Sequence, residues 1–462
     1  MLVPSTALDW AQQRFAGFST PDPRRRARLI QMGAAALTHP AGRVTRVFPH
    51  AAAQQGAYDW LEHPARDARA LARCEAEAAI GACRGEPFAW VPVDMMDLQI
   101  VDHALAKGTG RLASDRRPRR GFLVTTAFVV RADESTAGVA VQFYWARPTG
   151  AVADSHERAL ADKETRFWGN TLTLTVARFA TWAPGCRPWF LCDRGADFAE
   201  FILEALRQEW LWTVRAKYDR RVIDLAHDRL RAQVAAQPIL GWATVEVEDS
   251  KGQPRKRIAR VALRATPVVL HLSPRLDPSA WAASVWAVSV TEVDPPAGVD
   301  PLEWLLLTSY PTEDLSDAVL VVQGYGRRTR IEEYHRVWKS GGCDVQSQQL
   351  RGPETIEKWS RLLSSVAVRL LQLRDASRLH PAVPATEWFT PLEIEATVLL
   401  RQPRDHTPQA PPTLGRMVRW IAELGGYTGR SSGGPPGITV IRRGWERVEV
   451  AVEVLARQRQ PP

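Results

Sequence analysis

The stretch from Tyr325 to Lys339 reads YGRRTRIEEYHRVWK and carries the most informative pattern in the chain. On a helix each residue advances about 100°, so five polar side chains share a stripe roughly 80° wide. These five are Tyr325, Arg328, Glu332, Arg336 and Lys339. A carboxylate among cations is typical of a surface salt bridge. The same face also suits a metal-binding carboxylate whose neighbours hold phosphates, and this helix alone leaves both interpretations open.

Two aspartates follow short apolar runs that are typical of buried strands. Phe88-Ala-Trp-Val-Pro-Val93 precedes Asp94, and Trp189-Phe-Leu-Cys192 precedes Asp193. Each aspartate is therefore predicted at the C-terminal end of a strand, the edge at which open α/β sheets build their sites. Two-metal phosphodiester hydrolysis needs oxygen ligands that converge from separate elements. Because many strand ends carry Asp, spacing alone does not establish that Asp94, Asp193 and Glu332 converge.

The surrounding patterns predict an α/β core over residues 70–376. Strands are expected at 121–130, 138–145 and 212–217, and a helix is expected at 197–209. Residues 240–300 are rich in Val, Thr and Trp and predict an all-β insertion. Its basic loop holds Lys251, Arg255, Lys256, Arg257, Arg260 and Arg264. A helical region then extends from about Leu315 to Arg374, with a break near Ser340-Gly-Gly342.

Residues 1–69 predict a helical and basic N-terminal domain. Asp22-Pro23 is an expected helix start, with the aspartate as N-cap and proline at the first helical position. Arg24, Arg25 and Arg28 follow in the first turns. These arginines are candidate DNA contacts or part of a solvated surface helix, and their charge does not separate the two readings.

Residues 377–462 predict a helical C-terminal region after a proline-rich linker at 401–412. The expected helices surround Met417–Leu424 and Trp445–Arg457, and each has a broad apolar face. The two faces either pack on one another or pair with a second copy of the chain.

Composition limits the class of protein. The 462 residues carry a formal net charge of +9, which suits a polyanionic partner because bound Lys and Arg release counterions from phosphates. Five cysteines without a CxxC pair argue against a zinc site or a disulfide framework and favour a reducing cytosol. No apolar run long enough for a membrane span and no signal-peptide pattern are found. We therefore expect a cytoplasmic bacterial protein, associated with the nucleoid when bound to DNA, with no membrane partner.

These motifs together resemble the bacterial DDE transposases of the insertion-sequence-four family. Tyr325, Arg328, Glu332 and Lys339 match its Tyr-Arg-Glu-Lys signature at the same spacing, and Cys192–Asp197 resembles its second-aspartate motif. Val91-Pro-Val-Asp94 lies where its first aspartate is found. Further stretches match a member of that family at 22–25, 55–58, 301–309 and 424–427.

The resemblance implies an RNase-H-like catalytic core, an N-terminal domain that binds the transposon end and a C-terminal dimerisation region. Two Mg²⁺ ions are implied, one held by Asp94 and Glu332 and the other by Asp94 and Asp193, and Mn²⁺ is expected to substitute. Tyr325, Arg328, Arg336 and Lys339 would hold phosphates and bases near the cut, and Arg215 and Lys217 match further DNA contacts. Trp304 matches a residue that stacks on a flipped base, although a core tryptophan is its ordinary reading.

The predicted function is therefore cut-and-paste DNA transposition by a homodimer on double-stranded transposon ends, through a hairpin intermediate. One alternative is a catalytically silent relative that acts as a DNA-binding or dimerising inhibitor. Another is an RNase-H-like nuclease that cuts DNA without strand transfer.

Overall fold

The computed structural model describes residues 6–64, 67–101, 106–112, 119–147, 166–223, 225–248, 256–273, 279, 281–403, 410–430 and 434–459. Its helices are α1 (Ala7–Arg14), α2 (Pro23–Thr38), α3 (Val44–Val47), α4 (Ala51–Glu62), α5 (Asp67–Gly81), α6 (Arg166–Trp182), α7 (Ala199–Arg207), α8 (Leu230–Ala235), α9 (Leu315–Gly326), α10 (Thr329–Arg336), α11 (Pro353–Leu379), α12 (Pro391–Arg401), α13 (Leu414–Leu424) and α14 (Ile438–Gln458). Its strands are β1 (Phe88–Gln99), β2 (Gly110–Arg111), β3 (Arg120–Val130), β4 (Thr136–Trp145), β5 (Arg187–Cys192), β6 (Leu211–Arg215), β7 (Gly241–Glu248), β8 (Lys256–His271), β9 (Ala282–Glu292) and β10 (Glu303–Thr308).

The strands form one mixed sheet in the order β2-β3-β1-β5-β6-β10-β9-β8-β7, with β4 also paired to β3. β1, β3 and β4 form an antiparallel meander. β5 and β6 are parallel to β1 and are reached through helical crossovers. This mixed α/β architecture with a central mixed sheet fits the expected RNase-H-like core.

Alternation along β1 assigns its residues to the two faces of the sheet, since successive side chains of a strand point to opposite sides. Trp90, Met96 and Leu98 belong to a hydrophobic cluster that includes α9, α10 and α11. Ala89, Val91 and Val93 belong to a second cluster with α6, α7 and α8. Asp94 is four residues after Trp90, so its side chain points to the same face, which is the face covered by α10.

The segment predicted as an all-β insertion does form strands, namely β7, β8 and β9, but these strands continue the central sheet. β9 pairs with β10, and β10 pairs with the core strand β6. Their buried residues are divided between the same two clusters as the core strands. Lys251 and Arg255 of the predicted basic loop lie outside the described residues.

The N-terminal helices pack on the core through α11. The buried Lys358 ammonium donates to the carbonyl oxygens of Leu61 and His63, at 3.1 and 2.7 Å. The Trp359 indole donates to Gly42 O at 2.6 Å. As predicted, the side chain of Asp22 caps α2 by accepting from Arg24 N. The predicted domain boundaries at 69/70 and 376/377 fall within α5 and α11, and the division into domains stays a prediction.

The apolar faces of the two C-terminal helices largely pack on one another. Met417, Val418 and Ile421 of α13 share a buried cluster with Ile441 and Val448 of α14. These two faces therefore do not form a broad exposed apolar surface that could bind a second copy of the chain. Exposed apolar side chains remain at Leu399 and Leu400 of α12 and at Val450 and Val454 of α14. Residues 404–409 of the predicted linker lie outside the described residues.

No helix in the described part of the chain combines the length and the apolar character needed to cross a membrane.

Candidate active site

Asp94 and Asp193 are neighbours because their strands are parallel and in register. The last parallel pair of β1 and β5 is Val93 with Cys192, and each aspartate is the next residue. Trp189 and Leu191 of β5 belong to the same cluster as Trp90 of β1, so the two aspartates share one face of the sheet by alternation. The prediction that Asp94 ends its strand is wrong: β1 continues to Gln99, paired with β3. It is only the pairing with β5 that ends there.

Glu332 reaches this face on α10, which is fixed to the sheet by Tyr334. The buried Tyr334 ring stacks on Phe128 of β3 at 5.0 Å between centroids. Its hydroxyl donates to Ser364 Oγ of α11 at 2.9 Å and accepts from Gln142 Nε2 of β4 at 2.8 Å. Glu332, two residues earlier, is therefore directed away from the core, and its side chain is half exposed.

The predicted stripe does not lie on one continuous helix. Tyr325 belongs to α9, which ends at Gly326, and α10 begins at Thr329. Lys339 lies in a π-helical turn, Val337–Gly341. The break near Ser340 was expected from its glycines, whereas the break between α9 and α10 was not. Helical backbone angles at Arg328 nevertheless keep Arg328 and Glu332 in contact.

Arg328 joins the three carboxylates. Its Nη2 lies 3.9 Å from Asp94 Oδ1 and 3.7 Å from Asp193 Oδ2. Its Nη1 donates to Glu332 Oε1 in a short hydrogen bond. The salt bridge that the helix predicts is thus formed. The same guanidinium also contacts two carboxylates from separate strands.

The donor set of this cluster fits a divalent metal. Carboxylate oxygens from three separate elements are the ligands that Mg²⁺ and similar hard cations take, and all three already surround one cationic group. Among the described residues, however, no group of three or more His, Cys, Asp or Glu side chains has the arrangement of a metal site.

Asp94 is the most buried of the three carboxylates. Burial raises its pKa to about 6, with contributions from the charges of Asp193 and Glu332, while Arg328 opposes the shift. His335, which the sequence did not single out, lies beside it, with Nδ1 3.8 Å from Asp94 Oδ2. Burial lowers the pKa of His335 to about 3, so the imidazole is neutral near pH 7. The one feature of the sequence that could have indicated His335 is its position three residues after Glu332, which places the two residues on neighbouring parts of the same helix face.

A long groove of about 2120 Å³ opens beside this cluster. Small-molecule sites measure about 300–1,000 Å³, so the groove is large enough for a polymer. Arginines line it throughout: Arg194, Arg215, Arg231, Arg257, Arg327, Arg328, Arg330, Arg336 and Arg378. Acidic residues line it too, and some of them are paired with these arginines, as Glu134 is with Arg327. Asp94 and Asp193 contact Arg328, which lines the groove, but are not themselves lining residues.

Several residues predicted to bind DNA line this groove together. Tyr325, Arg336, Trp304 and Arg215 do so. Trp304 is half-buried and meets Tyr325 edge-on, with ring centroids 5.1 Å apart, so it is not enclosed in the apolar core. Burial raises the pKa of Tyr325 to about 12, which keeps its phenol a hydrogen-bond donor.

The loop after β6 is held by Asp197, the last acid of the second-aspartate motif. The buried Asp197 carboxylate accepts from the backbone nitrogens of Lys217 and Tyr218, at 2.6 and 3.1 Å. It also pairs with Arg220 at 2.6 Å. Lys217 is exposed on this loop and is not one of the groove-lining residues, and Lys339 also lies outside that lining.

The N-terminal arginines differ in their surroundings. Arg24 is exposed. Arg25 pairs with Asp67 in a short contact and lies 5.3 Å from the Trp60 ring. Arg28 lies against Gly56 of α4. Arg25 is therefore engaged within the chain, which leaves Arg24 the more accessible cation.

A buried ion network fixes the far side of α10, and the sequence did not indicate it. Asp375 of α11 accepts from Thr136 N and Oγ1 of β4, at 3.0 and 2.6 Å. It also pairs with Arg374 and with Arg330 of α10. Arg330 is two residues before Glu332, so this network sets the position of the catalytic candidate. Arg330 and Thr136 are 45 and 239 residues from Asp375 in the sequence. A local sequence pattern therefore cannot connect them.

Carboxylates from two adjacent strands and one helix, on one face of a mixed sheet, fit the RNase-H-like core of a DDE transposase. Residues 164–368 match the family model described as transposase DDE domain. The matched segment includes Asp193 and Glu332 and begins after Asp94. This match supports a DDE transposase, a class of nuclease and strand transferase whose substrate is DNA.

Replacing Asp94 by Asn should change how stability depends on pH. In the wild type, the unfolded chain ionises Asp94 near pH 4 and the folded chain only near pH 6, so stability is lost as pH rises through this window. Asp94→Asn has no such loss. Its free energy of unfolding should therefore rise relative to wild type by up to about 3 kcal/mol between about pH 4 and pH 7, measured by urea unfolding.

Asp133→Asn provides the opposite sign as a control. Although burial opposes it, hydrogen bonds from Ser135 and the charge of Arg131 lower the pKa of Asp133. Because the folded-state pKa lies below the ordinary value, this variant should lose stability relative to wild type as pH rises toward about 4, and should stay level with wild type between about pH 4 and pH 7. A flat difference between Asp94→Asn and wild type across the window would contradict the electrostatics described here.

Asp375→Asn should destabilise the fold by about 3 kcal/mol, because it leaves the buried Arg330 and Arg374 without their full counter-charge. Asp228→Asn, an exposed acid, is the control and should have little effect. In an Arg330→Met background the same change should cost less, since one of the stranded cations is gone. Equal costs in both backgrounds, measured by chemical unfolding, would argue against the network.

Proposed function

We propose that this protein is a cut-and-paste transposase that hydrolyses DNA at the ends of a mobile element and joins those ends to target DNA. The observation that carries the proposal is the convergence of Asp94, Asp193 and Glu332 on one guanidinium beside an arginine-lined groove. The match to the transposase DDE domain supports the same conclusion. The closer resemblance, to the Tn-five transposase of the insertion-sequence-four family, adds a hairpin intermediate to the proposed reaction.

Asp94, Asp193 and Glu332 would hold two Mg²⁺ ions, with Mn²⁺ as a substitute. When bound, such ions activate the attacking oxygen and stabilise the leaving oxygen of the phosphodiester. The chain itself supplies a half-buried carboxylate at Asp94 and two more exposed ones, at 39% and 49% side-chain exposure. Asp94 therefore forms the closed side of the cluster, and Asp193 and Glu332 form the side that is open to solvent.

Arg328 has two roles in this proposal. In the DNA-free chain it offsets the repulsion of the three carboxylates. A phosphate of bound DNA is an alternative partner, because a guanidinium matches phosphate oxygens in bidentate geometry. Transfer of Arg328 from carboxylates to phosphate would release the carboxylates as ligands and position the DNA strand in one movement.

The other groove residues position the DNA. Tyr325 donates from a protonated phenol, Arg336 is exposed on α10, and Arg215 is the last residue of β6. Lys217 and Lys339 would bind phosphates further from the cut. Trp304 is accessible enough to stack on a flipped base, and stacking offsets part of the cost of unpairing it. Arg24 and Arg28 would contribute to binding the transposon end, whereas Arg25 would first have to leave Asp67.

The intact carboxylates argue against a silent relative that only binds DNA. The C-terminal bundle argues against a simple nuclease, because a cut-and-paste reaction must hold two ends together and a nuclease need not. We assign that role to a homodimer formed through the exposed side chains of α12 and α14.

Charge removal within the trio tests the catalytic assignment. Asp94→Asn, Asp193→Asn and Glu332→Gln should each reduce cleavage by about 10²- to 10³-fold or more, because each removes charge that stabilises the reaction. The substrate is DNA carrying the inverted repeats that flank the reading frame, incubated with Mg²⁺. End binding in gel shifts should change by no more than a few fold.

Glu313→Gln, an exposed acid outside the groove, is the matched control and should cleave at the wild-type rate. Chelation of divalent ions should stop the wild-type reaction, and Mn²⁺ should restore it. Full cleavage by any of the three variants, or cleavage in the presence of chelator, would refute the two-metal transposase.

The dimer is tested by charges on the exposed face of α14. Val450 and Val454 are 62% and 51% exposed and one turn apart. Burying a valine is worth about 1.5–3 kcal/mol, so Val450→Asp with Val454→Asp should weaken paired-end complexes by about 10-fold or more. Binding of a single end should persist. Leu8→Asp, a comparable change on α1, should leave pairing intact, and unchanged pairing in the α14 variant would place the dimer contact elsewhere.

A further inference from the structure

His335 is a buried polar side chain beside the carboxylate cluster, and the proposed chemistry does not use it. It lies on α10, three residues after Glu332, and is 7% exposed. Its Nδ1 lies 3.8 Å from Asp94 Oδ2. Because a polar group withdrawn from water needs a partner, this contact accounts for an imidazole, rather than an apolar side chain, at this position.

The two oxygens of the Asp94 carboxylate face different partners. Oδ1 accepts from the backbone nitrogen of Met95 at 3.0 Å. Oδ1 also lies 3.9 Å from Arg328 Nη2, the nitrogen that contacts Asp193 as well. Oδ2 is the oxygen that faces His335. The carboxylate is therefore oriented with Oδ1 toward the guanidinium that joins the three carboxylates and with Oδ2 toward the imidazole.

The second ring nitrogen indicates where the imidazole carries its proton. Nε2 of His335 is buried and has no hydrogen-bond partner within the described part of the chain. A proton on Nε2 would be a buried donor without an acceptor, and it would leave the Nδ1 lone pair facing a carboxylate. A proton on Nδ1 removes that repulsion and gives the ring one donor, which is directed at Asp94 Oδ2.

The helix holds this donor in a fixed place. Tyr334, the preceding residue, stacks on Phe128 of β3 and donates to Ser364 of α11, and the Tyr334 and His335 rings lie 5.5 Å apart. The 3.8 Å between Nδ1 and Oδ2 exceeds a hydrogen bond of about 2.7–3.2 Å. Polar contacts of catalytic sites commonly tighten when the ligand binds, and a small rotation of the Asp94 carboxylate toward the fixed donor would close this gap.

We propose that His335 is a positioning residue, which donates from Nδ1 to Asp94 Oδ2 and so holds the carboxylate with Oδ1 directed toward the metal-binding cluster. The inference rests on the proposed function for the identity of the divalent ions. A group that hydrogen-bonds a metal-binding side chain orients it, and its removal typically lowers metal affinity by about 10- to 100-fold. His335 acts through Asp94 and is not itself a ligand, because Nδ1 carries the proton.

Nitrogen NMR of the metal-free, DNA-free chain tests the position of the proton. The full chain is labelled with ¹⁵N-histidine, and the His335 resonances are assigned by their absence from His335→Asn. In the wild type, Nδ1 should be the protonated nitrogen and Nε2 the unprotonated one. Asp94→Ala should shift the Nδ1 resonance, whereas Glu313→Gln should leave it unchanged.

The metal dependence of cleavage tests the positioning. His335→Leu removes the donor, and the Mg²⁺ concentration for half-maximal cleavage of transposon-end DNA should rise by about 10- to 100-fold. The rate at saturating Mg²⁺ should stay within about threefold of wild type. His335→Asn should recover most of the Mg²⁺ affinity, because the side-chain nitrogen of asparagine lies close to the place of Nδ1. The affinity of the DNA-free chain for Mn²⁺, measured by electron paramagnetic resonance, should fall in the same order.

The pair of variants separates positioning from packing. Leucine suits a buried helix position at least as well as asparagine does, so a role in folding alone predicts that His335→Asn is the more damaged variant. Positioning predicts the reverse order. His271→Leu is the matched control, since His271 is exposed at the end of β8, and it should keep the wild-type Mg²⁺ requirement. Circular dichroism should verify that all variants are folded.

Three results would overturn the positioning role. The first is a proton on Nε2 rather than Nδ1 in the NMR spectrum. The second is a wild-type Mg²⁺ requirement in His335→Leu. The third is an equal or greater loss in His335→Asn, which would assign His335 to packing. Failure of the transposase proposal is a different outcome, since it appears as absent cleavage by the wild type while the proton stays on Nδ1 and Mn²⁺ binding still depends on His335.

Discussion

The contact of one guanidinium with three carboxylates is the interaction on which the candidate site depends. Carboxylates that approach one another repel, and repulsion between buried charges is only weakly screened. Arg328 contacts Asp94, Asp193 and Glu332 at once and so offsets their mutual repulsion. Burial raises the pKa of Asp94, the carboxylate of the three with least access to solvent, and the neighbouring negative charges add to this shift.

The rest of the fold maintains this cluster from both sides. Parallel pairing of β1 and β5 brings the two aspartates side by side, and the longer β1 continues into the antiparallel meander. On the opposite side, Tyr334 and the Arg330–Asp375 network attach α10 to the sheet and to α11. Glu332 therefore lies on a helix that is fixed at two faces, which holds a side chain more accurately than a loop would.

The extension of the sheet by β10, β9, β8 and β7 converts a local cluster into a groove. Because those strands continue the core sheet, the walls of the groove share the hydrophobic clusters of the core and hold their positions relative to the carboxylates. The groove exceeds the size of a small-molecule site and offers cations near the carboxylates and apolar groups further away.

Local sequence was sufficient for most of the strands and helices, and it singled out the three carboxylates that the structure brings to Arg328. Apolar runs before Asp94 and Asp193, the Asp22 cap and the helical spacing around Glu332 depend on neighbours within a few residues, and the structure has the corresponding strands and helices. The sequence did not determine that β1 continues past Asp94, that α9 and α10 are separate, or that β7, β8 and β9 extend the core sheet. Nor did it indicate His335 beside Asp94 or Asp375 behind α10. These features arise from strand pairing and buried ion contacts between residues far apart in the chain, so only the tertiary structure could decide them.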